Sequence, residues 1–159
     1  AAFTAADTVI RSSVPAIVKA NDAYLARLEQ LRQDPASTEV ITAELQPDPE
    51  LVFYIKNLRK AQDGHVHVML RRPDGDAFTV NYNPDNFPFL TRWILANPMQ
   101  KVCTFAMPAT CDVEGYQAEK RAGHVRSLAG GEKAFFSMTL GYLNAQESQH
   151  EEALIRASV

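Results

Sequence analysis

Two apolar segments with the composition of β-strands, at residues 102–107 and 134–140, enclose a polar stretch of the chain. The first segment carries almost no charge and is predicted to end at Pro108, and the second is rich in the aromatic residues that favour strands. The stretch between them holds the densest set of reactive side chains in the sequence: Cys111, Asp112, Glu114, Tyr116, Glu119, Lys120, Arg121 and His124. Because loops held between rigid strands usually carry binding and catalytic residues, we expect a functional site here. An ordinary surface connection is the alternative.

The chain before this region shows further strand signals separated by turns. Residues 51–55 are continuously apolar, as in a strand that is buried on both faces. Residues 65–70 alternate with period two, a turn follows at residues 73–76, and residues 78–82 return as a second strand, which together predict a β-hairpin. Several short strands joined by turns predict a mostly β protein that forms an antiparallel β-sandwich.

Helical patterns are confined to the ends of the chain and to one short insertion. Residues 17–33 have apolar side chains at helical spacing, and the Asp34-Pro35 pair is predicted to end that helix. A short helical insertion is expected near residues 113–121. The predicted organisation is an N-terminal helical segment at residues 1–37, a β-sandwich domain at residues 38–144 and a C-terminal tail at residues 145–159. The tail is expected to form a short helix or to be frayed.

Composition excludes several classes of function. The 159 residues carry a formal net charge of −3, so no nucleic-acid partner is expected, since such a partner requires a basic surface. No apolar run approaches the roughly 18 residues of a membrane span. No signal peptide is visible either, and we expect a cytoplasmic protein. Because the chain starts without Met, processing or truncation is left open. Cys103 and Cys111 are expected to be free thiols, with a bridge between them as the alternative.

A series of short motifs resembles a known family. The motifs are NFPFLTRW at residues 86–93, FAMPATC at 105–111, VEG at 113–115, EKR at 119–121 and LAGGE at 128–132. Taken in this order, they resemble the C-terminal part of the aldose 1-epimerase-like proteins, a branch of the galactose mutarotase-like superfamily. The resemblance implies a mutarotase-like β-sandwich, a sugar or sugar derivative as the ligand, and no cofactor.

The resemblance also implies an activity, from which the chain departs at one position. In mutarotases, a glutamate directly before the proline of the FAMPATC region takes the proton from the anomeric hydroxyl of the sugar. Here that position is Met107, whose thioether is only a weak acceptor. The histidine acid of the family comes from an N-terminal half that has no counterpart visible in this sequence.

The resemblance therefore predicts a carbohydrate-binding protein, which would be an isomerase acting at the anomeric centre if it is catalytic. Its catalytic residues stay open. The alternative is a non-catalytic sugar-binding or subunit-forming fragment of a mutarotase-like protein. The side chains expected to contact the sugar are Arg92, Trp93, Met107, Cys111, Glu114 and Arg121.

Two further expectations concern metals and protein partners. His65 and His67 would share a face of their strand, but no third ligand has a recognisable spacing, so a solvated hairpin face is predicted and no metal site is assigned. Mutarotase-like sandwiches use about twice the strands counted here. The apolar segments at residues 51–55 and 135–140 would then need a cover. We therefore expect a homo-oligomer or association with a separate N-terminal segment.

Overall fold

The computed structural model of the protein describes residues 7–10, 22–40, 50–99 and 101–158. Its strands are β1 (Asp7–Ile10), β2 (Leu51–Lys56), β3 (Val66–Arg71), β4 (Ala77–Tyr82), β5 (Phe89–Ala96), β6 (Lys101–Ala109) and β7 (Met138–Leu143). Its α-helices are α1 (Asp22–Gln33), α2 (Tyr116–Arg121) and α3 (Ala145–Ala157). All strand pairs in the described residues are antiparallel, which confirms the prediction of a mostly β protein with few helices.

The strands form two sheets that share one cluster of buried side chains. The first sheet has the order β1-β2-β5-β6, and the second has the order β3-β4-β7. The cluster contains Ile55 and Leu90 from the first sheet and Val66, Val68, Val80 and Tyr82 from the second, together with Phe87. Because neighbouring residues of a strand point to opposite faces, Tyr54 and Lys56 lie on the face of β2 that is turned away from this cluster.

Most of the predicted elements are confirmed, because local patterning determines them. The hairpin of β3 and β4 has the register Val66↔Tyr82 to Arg71↔Ala77, as the alternating pattern requires. Helix α1 ends directly before the Asp34-Pro35 pair, while residues 17–21 of the predicted helix lie outside the described residues. Helix α2 occupies the predicted insertion, and α3 shows that most of the tail is helical. No helix of the described residues has the length and apolar character that crossing a membrane requires.

Three boundaries differ from the prediction. The strand predicted at residues 134–140 begins only at Met138, and the exposed Phe135 and Phe136 precede it in irregular backbone. Strand β6 continues through Pro108 to Ala109, because it is the edge strand of its sheet and the missing N–H of proline is tolerated there. Residues Asp7–Ile10, which precede the predicted helix at residues 17–33, form a strand that pairs with β2, as suits the β-branched sequence Thr-Val-Ile.

Helix α3 begins with a complete capping box. The side chain of Asn144 accepts hydrogen bonds from the backbone N–H groups of Gln146 and Glu147, each at 3.0 Å. The carboxylate of Glu147 accepts the backbone N–H of Asn144 at 2.8 Å. These bonds satisfy donors that have no partner within a helix, so the start of α3 is fixed by its own sequence.

His67 joins α3 to the hairpin, and its surroundings correct the prediction of a solvated histidine face. The residue is only 7% exposed, because α3 covers this face of β3. Its Nδ1 lies 2.8 Å from Oε1 of Glu151, and its Nε2 lies 3.0 Å from Oδ2 of Asp63. Thr79 donates a further hydrogen bond of 2.9 Å to the same oxygen of Glu151. A buried imidazolium between two carboxylates therefore holds the helix on the sheet.

This ion pair makes the stability of the protein depend on pH. The hydrogen bond with Glu151 raises the pKa of His67 above its usual 6.5, against the opposing effect of burial, and Asp63 adds to the rise. Burial acts to raise the pKa of Glu151, but the hydrogen bonds from His67 and Thr79 outweigh it and lower that pKa below 4.5. The stabilisation by the pair is therefore complete between about pH 4.5 and 6.5. It is lost as the pH rises through the pKa of His67 in the folded protein, or falls through that of Glu151.

We expect the melting temperature to be higher at pH 6 than at pH 8.5, and the Glu151→Gln variant to show a smaller difference. Glutamine keeps a hydrogen-bond acceptor but removes the charge that raises the pKa of His67. Differential scanning calorimetry of both proteins across this range is the measurement. Equal pH dependence in the two proteins would show that the pair carries no charge-dependent stability.

Candidate functional site

The candidate site lies on the face of the first sheet that is turned away from the buried cluster. Strand β2 contributes Tyr54 and Lys56 to this face, and β5 contributes Phe89. The loop after β6 and the helix α2 lie over these residues, since Tyr54 and Lys56 both bond to side chains of that loop. The site is thus assembled from the first sheet and from the polar stretch between residues 107 and 134, where the sequence predicts a functional site.

An ion pair forms the contact between sheet and loop. The ammonium of Lys56 lies 2.8 and 3.0 Å from the two carboxylate oxygens of Asp112. It also lies 4.7 Å from the centre of the Phe89 ring, close enough for a cation–π contact. The side chain of Asp112 is 4% exposed, so its charge requires this partner, because an unpaired buried carboxylate is costly.

Glu119 and His124 form a second pair beside Asp112. Oε2 of Glu119 accepts the backbone N–H of Asp112 at 3.1 Å and lies 2.7 Å from Nδ1 of His124. The hydrogen bond with His124 is the main reason that the pKa of Glu119 is held below its usual value. An ionised Glu119 in turn keeps the proton of the imidazole on Nδ1, so Nε2 is the nitrogen that remains for a bound molecule. The ring of His124 packs against Phe89 at 4.6 Å between centroids.

The backbone between α2 and His124 explains how two residues five positions apart come together. Helix α2 ends in a turn at Gly123, whose φ of +76° is a conformation that glycine adopts without strain. The N–H of His124 then donates to the carbonyl oxygen of Glu119 at 2.9 Å. The chain therefore folds back on its own helix, and the imidazole is placed against the carboxylate. A second bond of 2.7 Å, from the hydroxyl of Tyr54 to Glu114, ties the same loop to β2.

Asp112, Glu119 and His124 border a cleft with a volume of about 560 Å³. Polar or reactive groups in its lining include Cys111, Asp112, Tyr116, Glu119 and His124. The apolar part of the lining is formed by Val113, Val125, Leu128, Ala134 and Phe136. A volume in the range of small-molecule sites, with few polar groups on a mostly apolar wall, is typical of a ligand pocket.

The residues predicted from sequence to bind a ligand are only partly brought together. Cys111 is a half-buried free thiol in the lining of the cleft, and Glu114 lies beside the cleft on Tyr54. Met107 pairs with Thr91, and Thr91 pairs with Tyr54, so Met107 lies on the same face of the first sheet as Tyr54. Met107 is not part of the cleft lining. The other three, Arg92, Trp93 and Arg121, lie outside the cleft lining.

The contacts of Arg92 and Trp93 show why they are separate from the cleft. Arg92 is buried at 3% exposure, and its guanidinium donates to Oγ1 of Thr38 at 3.1 Å. The indole N–H of Trp93 donates to Glu50 at 2.7 Å. Both residues contact polar side chains from earlier segments of the chain. Lys56 and Phe89, which sequence reasoning missed, lie outside the cleft lining but contact Asp112 and His124, respectively, which line it.

The site also contains a set of possible metal ligands. Oxygen or nitrogen atoms of Asp112, Glu119 and His124 all lie within 4.8 Å of one another. These ligand types suit a divalent cation. In the observed arrangement, the ammonium of Lys56 pairs with Asp112 and the imidazole of His124 binds Glu119, so both carboxylates already have a partner within the protein. His67, one of the two histidines considered from the sequence for a metal, is held by Asp63 and Glu151.

The fold and the cleft define a mostly antiparallel β protein with a carboxylate–imidazole pair at a ligand-sized cavity. The family described as Domain of unknown function (DUF4432) matches residues 8–142, and the chain belongs to this family. The match spans every residue of the cleft and all of both sheets except Asp7 and Leu143. Searches of curated proteins and of solved structures found no match.

Proposed function

We propose that the chain binds a sugar of monosaccharide size in the cleft and transfers protons at its anomeric centre, as aldose 1-epimerases do. The two sheets would then form a mutarotase-like β-sandwich. Two observations support the proposal. The motifs at residues 86–132 resemble those of aldose 1-epimerase-like proteins. The cleft is lined mostly by the polar stretch that follows residues 102–107. The observation that carries it is the imidazole of His124, oriented by a buried carboxylate, in the wall of a ligand-sized cavity.

The cleft has the two kinds of surface that a sugar requires. The ring of Phe136 and the apolar side chains of Val125 and Leu128 offer a wall for the C–H face of a pyranose. The carboxylates of Asp112 and Glu119 are acceptors for hydroxyl groups. Each is held by other protein groups, so a sugar would meet acceptors whose positions are already fixed.

The proposed chemistry is the opening and closing of the sugar ring. Nε2 of His124 takes the proton of the anomeric hydroxyl, the C1–O1 bond becomes a carbonyl, and the bond between C1 and the ring oxygen breaks. The ring oxygen takes a proton from a second donor in the cleft, for which Tyr116 supplies a hydroxyl. Rotation about the C1–C2 bond and the reverse proton transfers then close the ring as the other anomer. Glu119 stabilises the imidazolium that forms between these steps.

One observation favours the second candidate function, sugar binding without catalysis. Met107 stands where the family has its glutamate base, and its thioether cannot take a proton from the anomeric hydroxyl. The His124–Glu119 pair would have to supply the base from another part of the cleft. If it does not, the cleft still offers binding surfaces but no acceleration.

Polarimetry and calorimetry on the same preparation separate the two functions. Freshly dissolved α-glucose and α-galactose are followed by optical rotation with micromolar protein, and binding of each sugar is measured by isothermal titration. Acceleration that scales with protein concentration supports the epimerase function. Binding without acceleration supports the second candidate. Absence of both with these sugars, and with their uronic acids and 6-phosphates, would refute carbohydrate recognition by the cleft.

A further inference from the structure

Strand β7 is the outer strand of the second sheet in the part of the chain that the structure describes. It pairs with β4 on one side, and no strand of the described residues pairs with its other side. The six residues Met138–Leu143 include no charged residue and no proline. Natural edge strands normally carry such residues, or are covered, because an open edge pairs readily with another chain. The sequence of β7 therefore lacks the protection expected for a free edge.

One face of β7 is also an exposed apolar strip, formed by Met138, Leu140 and Tyr142. In the register of the sheet, Met138 pairs with Tyr82 and Leu140 pairs with Val80. Paired residues point to the same face of an antiparallel sheet, and both of these partners are buried in the cluster between the sheets. The strip itself is 42%, 70% and 54% exposed at its three residues. The strip therefore lies on the core-facing side of the second sheet, but at a position where the first sheet does not cover it.

Helix α3 lies on the opposite face of the second sheet. Ile155 of the helix packs with Met69 and Ala77, and Glu151 bonds to Thr79. Residues Thr79 and Ala77 alternate along β4 with Val80 and Phe78, so the helix and the strip are on different faces. Helix α3 consequently does not cover the strip.

The exposed area sets the size of partner that the strip can accept. Phe78 lies beside Tyr142 and is 43% exposed, so it extends the strip by one side chain. With roughly 200 Å² for each large side chain, the four residues expose on the order of 400 Å². A stable interface buries about 800 Å² on each partner, so the strip provides about half of that area. Backbone pairing along β7 and the flanking Phe135, which is 79% exposed, are available for the remainder.

We propose that β7 pairs with β7 of a second copy of this chain, antiparallel and about a twofold axis perpendicular to the sheet. Such an axis keeps the apolar strips of both copies on one face. A register centred on Leu140 places the two Leu140 side chains together, and Met138 of each copy beside Tyr142 of the other. Because β7 carries no charge, two identical edges meet without repulsion. The two second sheets become one six-stranded sheet, and this inference does not depend on the proposed function.

The test is the mass of the protein in solution and its response to one charge on the strip. Light scattering at about 50 μM is expected to give twice the 17.7 kDa of the chain. Leu140→Lys is expected to raise the dissociation constant tenfold or more, because it places two ammonium groups at the centre of the interface. Met99→Lys is the matched control, since Met99 is an exposed apolar residue remote in sequence from β7, and this variant is expected to stay dimeric.

Hydrogen exchange locates the contact independently of these variants. Backbone amides of residues 138–143 are expected to gain protection as the protein concentration rises from 1 to 50 μM, and amides of α1 are not. A 17.7 kDa species at 50 μM, or a dimer that Leu140→Lys leaves intact, would overturn the proposal. Copurification of a different polypeptide bound at β7 would also overturn it, because the edge would then have another occupant.

Discussion

Replacing Glu151 with alanine is expected to lower the free energy of unfolding by about 3 kcal/mol, a typical loss when one partner of a buried ion pair is removed. Oε1 of Glu151 lies 2.8 Å from Nδ1 of His67 and 2.9 Å from the hydroxyl of Thr79. Without it, a buried imidazolium keeps only the half-exposed Asp63 as a counter-charge. Since the net stability of a domain is about 5–15 kcal/mol, this change removes a large fraction of it. Urea denaturation at pH 6 is the measurement.

Two comparisons test the reason given for this loss. Glu152→Ala changes the next residue of α3, which pairs with Arg71 and Arg156 at the surface, and is expected to cost about 1 kcal/mol or less. The cost of Glu151→Ala is expected to be smaller at pH 8.5 than at pH 6, because neutral His67 does not need an anion. Equal costs for the two glutamates, or a loss that is greater at high pH, would contradict the role of the pair.

Replacing His124 with asparagine is expected to reduce any acceleration of mutarotation by a factor of about 10² to 10⁴, the usual contribution of a general base. Asparagine can keep an N–H donor near the position of Nδ1, which lies 2.7 Å from Glu119, but it offers no nitrogen base in the cleft. The fold of the loop is therefore expected to persist while proton transfer fails. Initial rates of optical rotation, at sugar concentrations above and below saturation, measure the change.

The control for this variant is His150→Asn, on the exposed surface of α3, which is expected to leave the rate unchanged. Sugar affinity should change little in His124→Asn, because the apolar wall and the carboxylates remain. A variant that retains the full rate would show that the base is another group, and Cys111 is then the next residue to replace. A variant that loses binding and rate together would assign His124 to ligand recognition.

Sequence reasoning succeeded for elements whose information is local. The hairpin of β3 and β4 follows from alternation and a turn, and the reactive residues between Cys111 and His124 were found because they lie within one segment. Lys56 was missed because it meets Asp112 across 56 positions of sequence, and nothing in the pattern of β2 predicts that contact. The available signal was the position of Lys56 at the end of an apolar strand, because a charged ammonium there requires an anion or water as its partner.

The burial of His67 is a second case in which a contact between distant parts of the chain was not predictable from local sequence. Alternation correctly predicted which face of β3 carries the residue, and polarity suggested that this face meets solvent. Helix α3, which begins more than 70 positions later, covers the face and supplies Glu151. The predicted strand at residues 134–140 starts too early because Phe135 and Phe136 raise the strand propensity, although no strand among the described residues pairs with them.

Pro108 has a consequence for how far copies of this chain can assemble. It lies within β6, the edge strand of the first sheet, and has no N–H to donate to an incoming strand. An antiparallel contact through β7 uses the same edge in both copies, so it is satisfied once two copies have met. If a second strand edge also paired between copies, such dimers could join into fibres. Pro108 makes β6 less suitable for this pairing because it removes one backbone donor. In the proposed dimer, β7 would thus be the contact strand, and β6 would not extend the assembly further.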